Sequence, residues 1–556
     1  MAELVFLPLG GCGEIGMNLN AYGYGPPSDR RWILIDIGVT FGGEETPGVD
    51  LIMPDTAFFE SQGDKIEAVF LTHAHEDHIG ALGLLYPRLQ TQAPIYATPF
   101  TAHLAQAKLI ERGLKHVSIK AIPLAAEIQA GPFRVQYITL THSIPEPNAL
   151  ALHCDLGVIL HTGDWKIDPD PQIGAPTDIE TLTKLGDAGV LAMVCDSTNV
   201  FVEGESGSEG TVRENLIELV GSLSGRVAVT TFASNIARVA TVVEAAKQAG
   251  RSVCLLGRSM HKVTDAAIAT GVLKDLPDFI DEDTAGSLPD DHLLFLCTGS
   301  QGEARAALGR IARNDHRHVS LGEGDTVIFS SRVIPGNEKP IFEMQNALAE
   351  KGVRIITEKM TEGPIHVSGH PARDELRRMY QWVRPEISVP VHGERRHIVE
   401  HAAYAKSLQI GQAVTPRNGD LIRLAPGRSE IVDQTANGRL YLDGNQLVPA
   451  LSEGLRQRRA LAQWGYVHVS VALDESGDLV DGPIIVARGF SEPDGESADE
   501  SLIEIDEAAE EALLDLKRKK RQNDEEVERT LVRAVRKSCE RIFGRKPVID
   551  VSVLRV

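Results

Sequence analysis

"LTHAHEDHIG", residues 71 to 80, decides how this chain is read. It places His73, His75, Asp77 and His78 directly after the apolar run "AVFL". In an extended segment residues two apart share a face, so His73 and His75 point the same way. Asp77 and His78, past the strand end, can turn toward a second point. Imidazole and carboxylate are natural ligands for zinc, and this many at one strand end suffice to begin two sites.

Further donors are expected at other strand ends. "YITLTHS" carries His142, "VILHTGDW" carries Asp164 and "ISVPVHGE" carries His392. Each follows an apolar strand, where a site can be assembled on a rigid frame. His73, His75 and His142 can form one site. Asp77, His78 and His392 can form the other. Asp164 can bridge, because a carboxylate has two oxygens. Two metals about 3.5–4 Å apart clamp the attacking and leaving oxygens of an in-line displacement at phosphorus.

A competing signal lies at residues 9 to 18, "LGGCGEIGMN". Gly11, Gly13 and Gly16 spell G-x-G-x-x-G, and Asp36 follows, as in a dinucleotide fingerprint. That fingerprint requires a helix opening at the glycines to hold the pyrophosphate. The next residues have no helical apolar repeat; they carry turn signals and then the run "WILIDIG". The order is therefore strand, turn, strand, turn, strand, and the dinucleotide reading is set aside.

The 556 residues suffice for several domains. With 56 basic and 78 acidic residues the formal charge is −22, which argues against a surface coated for nucleic acid but permits a local basic groove. Six cysteines are scattered without C-x-x-C spacing and mostly in apolar runs, as for reduced cytosolic thiols. No charged-then-apolar leader and no membrane-length apolar run occur, so a cytoplasmic protein is expected.

Strands ending in Gly, Asp or His fill the first two hundred residues, regular strand–helix alternation follows over 209–365, and the His- and Gly-rich style returns at 366. This is the pattern of one α/β domain inserted into another. From 450 an acidic loop, "SEPDGESADE", precedes two charged amphipathic helices and the closing strand "KPVIDVSVLRV". The run "KRKKRQ" from Lys517 to Gln522 reads as a solvated helix face rather than an RNA contact.

H-x-H-x-D-H followed by a His, an Asp and a His resembles the metallo-β-lactamase superfamily. The resemblance implies an αββα sandwich with its site at the strand edge, and a role for Asp36 in supporting the metal site. "CDST" with Asp196, "HVSGH" from His366 to His370 and "VHGE" with His392 resemble motifs A, B and C of the β-CASP nucleic-acid nucleases. In that group a domain is inserted between A and B, and a His at motif C goes with RNA rather than DNA. "FASNIAR", "TGSQGE" and "IPGNE", with the C-terminal appendage, resemble the bacterial ribonuclease J family over essentially the whole chain. "GSQGEA" lacks the Pro expected after Glu303, a departure confined to one loop.

The fold expected is α/β. It comprises a metallo-β-lactamase αββα sandwich (1–208 and, with a linker, 366–449), an inserted α/β β-CASP domain (209–365) and a small α+β C-terminal domain (450–556). The resemblance implies a ribonuclease with two Zn2+ per subunit; Mn2+ or Mg2+ also suits the carboxylate-rich part. It implies single-stranded RNA with a 5′-monophosphate as substrate, degraded 5′ to 3′ and also cut internally, in rRNA processing and mRNA decay. It further implies a homodimer or homotetramer, with other RNA-decay proteins as partners and no membrane.

The metal ligands expected are His73, His75, Asp77, His78, His142, Asp164 and His392. Asp77, Asp196 and His370 are the catalytic candidates, His370 stabilising charge on the phosphorane oxygens and it or a water protonating the leaving oxygen. Ser234, His366, Val367, Ser368, Gly369 and His370 are the candidates for a phosphate pocket, which would exclude a triphosphate by size and unpaired charge. Asp36 and Asp196 are expected to orient ligands. The acidic net charge calls for a basic cleft between the first two domains, with arginines from "ARVAT", "SRVIP" and "RRMYQWVR". The rival readings are a small-ester or thioester hydrolase of the same fold, a DNA nuclease and a catalytically silent RNA-binding scaffold.

Overall fold

Alternation of large apolar residues builds the frame. In Phe133–Thr139, Phe133, Val135 and Tyr137 point to one side; in Asn148–Cys154, Leu150 and Leu152 do so while Ala149 and Ala151 point to the other. A computed structural model of the chain describes all residues except Glu44, Pro335 and 492–497. Most of the acidic stretch "SEPDGESADE" therefore lies outside the described residues, as does Pro335 of "SRVIP" and "IPGNE".

Two sheets stack. The first has eight strands in the order Glu430–Gln434, Asp420–Ala425, Glu3–Gly10, Leu19–Gly25, Arg31–Ile35, Ile66–Phe70, Ile95–Ala97, Ile119–Ala121. The second has seven, in the order Glu127–Ala130, Phe133–Thr139, Asn148–Cys154, Gly157–His161, Ala192–Asp196, Ile387–Val391, Gln412–Ala413. Phe6, Tyr22, Ile33, Ile35 and Phe70 of the first meet Phe133, Val135, Tyr137, Leu150 and Leu152 of the second in one buried core. Fully burying each such side chain contributes about 1.5–3 kcal/mol.

Helices cover the outer faces. Leu182 and Leu185 of Ile179–Ala188 and Leu376, Met379 and Val383 of Arg373–Val383 pack on the far side of the second sheet. Behind the first sheet Trp32 stands edge-on to Phe58 and Phe59 of Ala57–Glu60, with ring centroids 5.6 and 5.4 Å apart. This is the αββα sandwich of the sequence reading. The glycine stretch makes no helix: Glu3–Gly10, Leu19–Gly25 and Arg31–Ile35 are successive antiparallel strands.

After Asp196 the chain leaves the second sheet and builds a separate five-stranded parallel sheet. Its order is Ser252–Leu256, Leu293–Cys297, Val227–Thr230, Thr326–Phe329, Arg354–Ile356. The three inner strands, Leu293–Cys297, Val227–Thr230 and Thr326–Phe329, are short, fully buried and mostly apolar, as expected for a parallel sheet. The chain then returns through Arg373–Val383 to Ile387–Val391, which pairs in parallel with Ala192–Asp196, placing Asp196 opposite Val391.

Arg238 of "ARVAT" corrects the cleft expectation. Its side chain is 0 % exposed and pairs with Glu209, Nη2 to Oε2 at 2.8 Å. It also donates to Ile365 O at 3.0 Å and to Ser330. A guanidinium so enclosed is unavailable to a strand of RNA; it ties the start of Glu209–Gly221 to the segment leading into "HVSGH". In "RRMYQWVR", Arg377, Arg378 and Arg384 pair with Asp374, Glu205 and Asp187.

Contacts divide the chain into two compact units, Met1–Thr40 with Met53–Arg439, and Phe41–Ile52 with Leu440–Val556. In the second unit, Tyr466–Leu473 lies between Leu479–Arg488 and Val548–Arg555. Val467, Val469, Val471 and Leu473 pack against Ile505, Leu513, Leu531 and Val535 of the helices Ala498–Leu514 and Asp524–Phe543. The basic run forms the short helix Arg518–Arg521, with Arg518 paired to Asp478 and Lys520 to Glu526. The six cysteines are free thiols, and none of the described helices is long and apolar enough to cross a membrane.

Candidate metal centre

Every expected donor stands just past a strand or in a short turn at one edge of the sandwich. Ile66–Phe70 delivers His73 and His75, and the turn Glu76–Ile79 delivers Asp77 and His78. His142, Asp164 and His392 follow Phe133–Thr139, Gly157–His161 and Ile387–Val391.

The donors fall into two sets that share Asp164: His73, His75, His142 and Asp164, and Asp77, His78, Asp164 and His392. Within each set the donor atoms all lie within 4.8 Å of one another. His73 Nε2 and His142 Nε2 are each 3.1 Å from His75 Nδ1. Asp164 Oδ2 is 3.3 Å from His78 Nε2, 3.8 Å from His142 Nε2 and 3.9 Å from His73 Nε2. His392 Nε2 is 3.1 Å from Asp77 Oδ2. Asp164 Oδ1 is buried without a hydrogen-bond partner among the described residues, an orphan that a cation would satisfy.

The two sets differ electrostatically. Burial lowers the pKa of His73, His75 and His142, that of His75 to about 4, so these rings are neutral and offer lone pairs. Burial acts in the same direction on His78 and His392, but Asp164 with Asp77, Asp36 and Asp196 outweighs it and raises both. Burial would raise the Asp77 and Asp164 carboxyls, yet the charges of His78 and His392 hold them low. A divalent cation held by this half would compete with protons for the imidazoles.

Other groups fix these donors. Asp36 accepts from the Thr72 backbone N–H and hydroxyl, both at 2.8 Å, and lies 2.7 Å from His78 Nδ1. Asp36 and His392 both hold left-handed backbone, φ 61° and 51°, a strain that such sites tolerate. His142 Nδ1 donates to Gly369 O at 2.5 Å, and a Cβ on Gly369 would stand 2.8 Å from His142 Cε1, so glycine is required there. "HVSGH" thus meets the centre with a carbonyl as well as with any N–H.

Asp196, His370, His392 and Asp164 form a third cluster. His370 Nδ1 donates to Asp196 Oδ2 at 2.8 Å, and burial, which would lower its pKa, is outweighed by that carboxylate. Asp196 Oδ1 is 3.5 Å from His392 Nδ1. Ser234, on the inserted domain, places Oγ 3.1 Å from His75 Nε2. Ser368 Oγ accepts from the His370 backbone N–H at 3.2 Å. Val367 is buried against Gly207. His366 is buried with Nδ1 unpartnered, and it joins none of the three clusters.

Three residues escaped the sequence reading. Asn18 Nδ2 donates to Asp77 O at 3.1 Å and stands 3.0 Å from His78 Nε2. Thr198 Oγ1 donates to Asp196 Oδ1 at 2.7 Å and lies 2.9 Å from His392 Nδ1. Asn199 Nδ2 donates to Ser368 Oγ at 2.8 Å and His370 O at 2.9 Å. The available signals were their places at the end of "GGCGEIGMN" and in "CDSTN", next to residues already singled out.

Comparison with known proteins agrees with this geometry. Four family profiles match: a β-lactamase superfamily domain over 31–178, the ribonuclease J β-CASP domain over 224–348, a Zn-dependent metallo-hydrolase RNA specificity domain over 363–416 and the ribonuclease J C-terminal domain over 453–556. Ribonuclease J of Sinorhizobium meliloti is 46% identical over 557 residues, covering 100% of this chain and 98% of the relative. Ribonuclease J of Corynebacterium glutamicum is 36% identical, covering 98% of this chain and 75% of the relative. A crystal structure of a protein of unknown function from Enterococcus faecalis V583 superposes with a TM-score of 0.52 at 16% identity, over 76% of this chain and 100% of that one, a likeness of fold.

Proposed function

The chain belongs to the ribonuclease J family, a family of nucleases that hydrolyse RNA, and from that premise we propose a specific activity for it. It is a cytoplasmic 5′-to-3′ exoribonuclease that prefers a 5′-monophosphate end, with endonuclease activity, and it acts in RNA maturation and decay. The observation that carries the reading is the pair of donor sets joined at Asp164.

The residues fit two zinc ions: neutral imidazoles on one side, a mixed His and Asp set on the other, and a shared carboxylate with an unsatisfied oxygen. His73, His75, His142 and Asp164 would hold one ion, and Asp77, His78, His392 and Asp164 the other. Bound there, the pair supplies Lewis-acid chemistry at the phosphoryl group and a nucleophile at neutral pH.

The chain's own groups do the rest. Asp196 holds the His370 ring by Nδ1 and favours its cationic form, leaving Nε2 as the atom from which a proton passes to the departing 3′-oxygen. Ser234 from the inserted domain and "HVSGH" from the sandwich flank the His75–His142 side, where they bracket a terminal phosphate. A pocket shaped for one phosphate rejects three through unpaired charge.

The test is a time course on one RNA carrying either a 5′-monophosphate or a 5′-triphosphate, with and without a chelator. Mononucleotides released from the monophosphate form alone, and abolished by the chelator, are expected. Equal internal cutting of both forms would remove end recognition. Cleavage of the matching DNA at the same rate would remove RNA selectivity.

A further inference from the structure

A cavity lies beside the Asp77–His78–His392 half of the centre. It has a volume of about 420 Å3, and Arg395, Arg417 and Arg439 line it with Asn418, Asn437 and Met17. Cys12 and Gly13 form part of its wall.

Its charge is open to a ligand. The exposed Arg417 guanidinium has no ion-pair partner among the described residues. Arg395 donates to Thr415 O at 2.9 Å and Pro416 O at 3.2 Å, and it too has no carboxylate within ion-pair distance among the described residues. Only Arg439 is paired, with Glu14 at 2.5 Å, and Glu14 also accepts from Asn418 Nδ2 at 2.7 Å. Asp420, nearby, takes the Arg417 backbone N–H at 2.9 Å and Gln434 at 2.7 Å. The amides are engaged within the wall, Asn418 Oδ1 accepting from the Cys12 N–H at 2.9 Å and Asn437 Nδ2 donating to Asn418 O, so the two guanidiniums without a carboxylate are what the concavity offers an anion.

The cavity is joined to the centre through the backbone. Met17 precedes Asn18, which touches Asp77 and His78. Cys12 pairs with Gly393, and the His392 N–H donates to Gly11 O at 2.7 Å. It therefore adjoins the Asp77–His78–His392 half, whereas Ser234 and Gly369 adjoin the His75–His142 half. A terminal phosphate held beside Ser234 and Gly369 would have the centre between it and this cavity.

We infer that the Arg395–Arg417–Arg439 cavity is a subsite for a nucleotide phosphate. The phosphate is either that of the RNA strand continuing beyond the scissile bond or that of a free mononucleotide. The inference rests on the ribonuclease reading above, and its test is arranged to separate the two.

The test compares full-length, metal-loaded wild type with Arg417→Gln, Arg417→Lys and, as a control for loss of one charge, Arg533→Gln on the distant-in-sequence helix Asp524–Phe543. A 5′-monophosphorylated 20-mer RNA and adenosine 5′-monophosphate are the probes. Arg417→Gln should raise KM for the RNA roughly five- to tenfold and lower the slope of log affinity against log salt by about 0.7, with Arg417→Lys restoring most of both. If the strand is the ligand, inhibition by adenosine 5′-monophosphate is unchanged. If a free nucleotide is the ligand, that inhibition weakens while the RNA KM stays. Wild-type values for both probes in Arg417→Gln overturn the subsite, as does an equal effect of Arg533→Gln. Fluorescence anisotropy of the labelled RNA is read in parallel. A wild type that binds RNA with dependence on Arg417 but cuts nothing overturns the ribonuclease reading and leaves the subsite standing.

Discussion

Asp196 and His370 lie 174 residues apart in sequence, and their side chains meet at 2.8 Å, Nδ1 donating to Oδ2. The same carboxylate accepts from Thr198, whose hydroxyl stands 2.9 Å from His392 Nδ1. One aspartate thus aligns a candidate acid and, through a threonine, a candidate ligand.

From this arrangement His370→Ala should keep its metal and lose cleavage by about 10²- to 10⁴-fold, the usual worth of a general acid. Elemental analysis of the purified variant beside its kcat checks both halves. Loss of metal together with activity would make His370 a structural member of the centre.

Asp36 acts on the opposite side, through His78 and Thr72. Asp36→Asn removes a charge from the hydrogen bond that sets the His78 ring, and zinc affinity should fall about 10- to 100-fold. Competition against a fluorescent chelator measures it. An unchanged affinity would show that the ring is held by packing alone.

The Arg238–Glu209 pair is buried on both sides. Arg238→Met strands the carboxylate, and the expected cost is about 3–5 kcal/mol in urea unfolding. The double variant Arg238→Met/Glu209→Leu should recover much of that, because no charge is left unpaired. A double variant as unstable as the single one would place the loss in the bonds to Ser330 and Ile365 instead.

Removal of metal should abolish cleavage and destabilise the fold. Zinc at about a hundred times its dissociation constant stabilises the native state by about 2.7 kcal/mol per site. Differential scanning calorimetry before and after dialysis against a chelator reads this as a fall in melting temperature, reversed by adding zinc. No shift would mean that these donors do not hold the ion in the native state.

The sandwich, the inserted parallel sheet and both donor sets were legible because each leaves a local trace. Phe133, Val135 and Tyr137 alternate, and His73, His75, Asp77 and His78 crowd one strand end. Asn18 and Thr198 were not legible, since a lone amide or hydroxyl in a turn acquires its task only from what folding brings beside it. Arg238 misled for the converse reason. "ARVAT" offers a cation, and nothing local reveals that Glu209 and Ile365 will enclose it. His366 shares a motif with His370, but four positions further along the turn only the latter reaches Asp196.

The pairing of Asp196 opposite Val391 has a consequence for how the protein comes into being. Six of the seven donors are present once residue 164 has been translated, but the seventh is His392, and its strand can dock only after the whole inserted domain has emerged. Domains fold as units from the N-terminus during synthesis. A growing chain on its ribosome therefore sits beside its own messenger RNA with an incomplete set of candidate ligands until the inserted domain and the strand after it have both emerged.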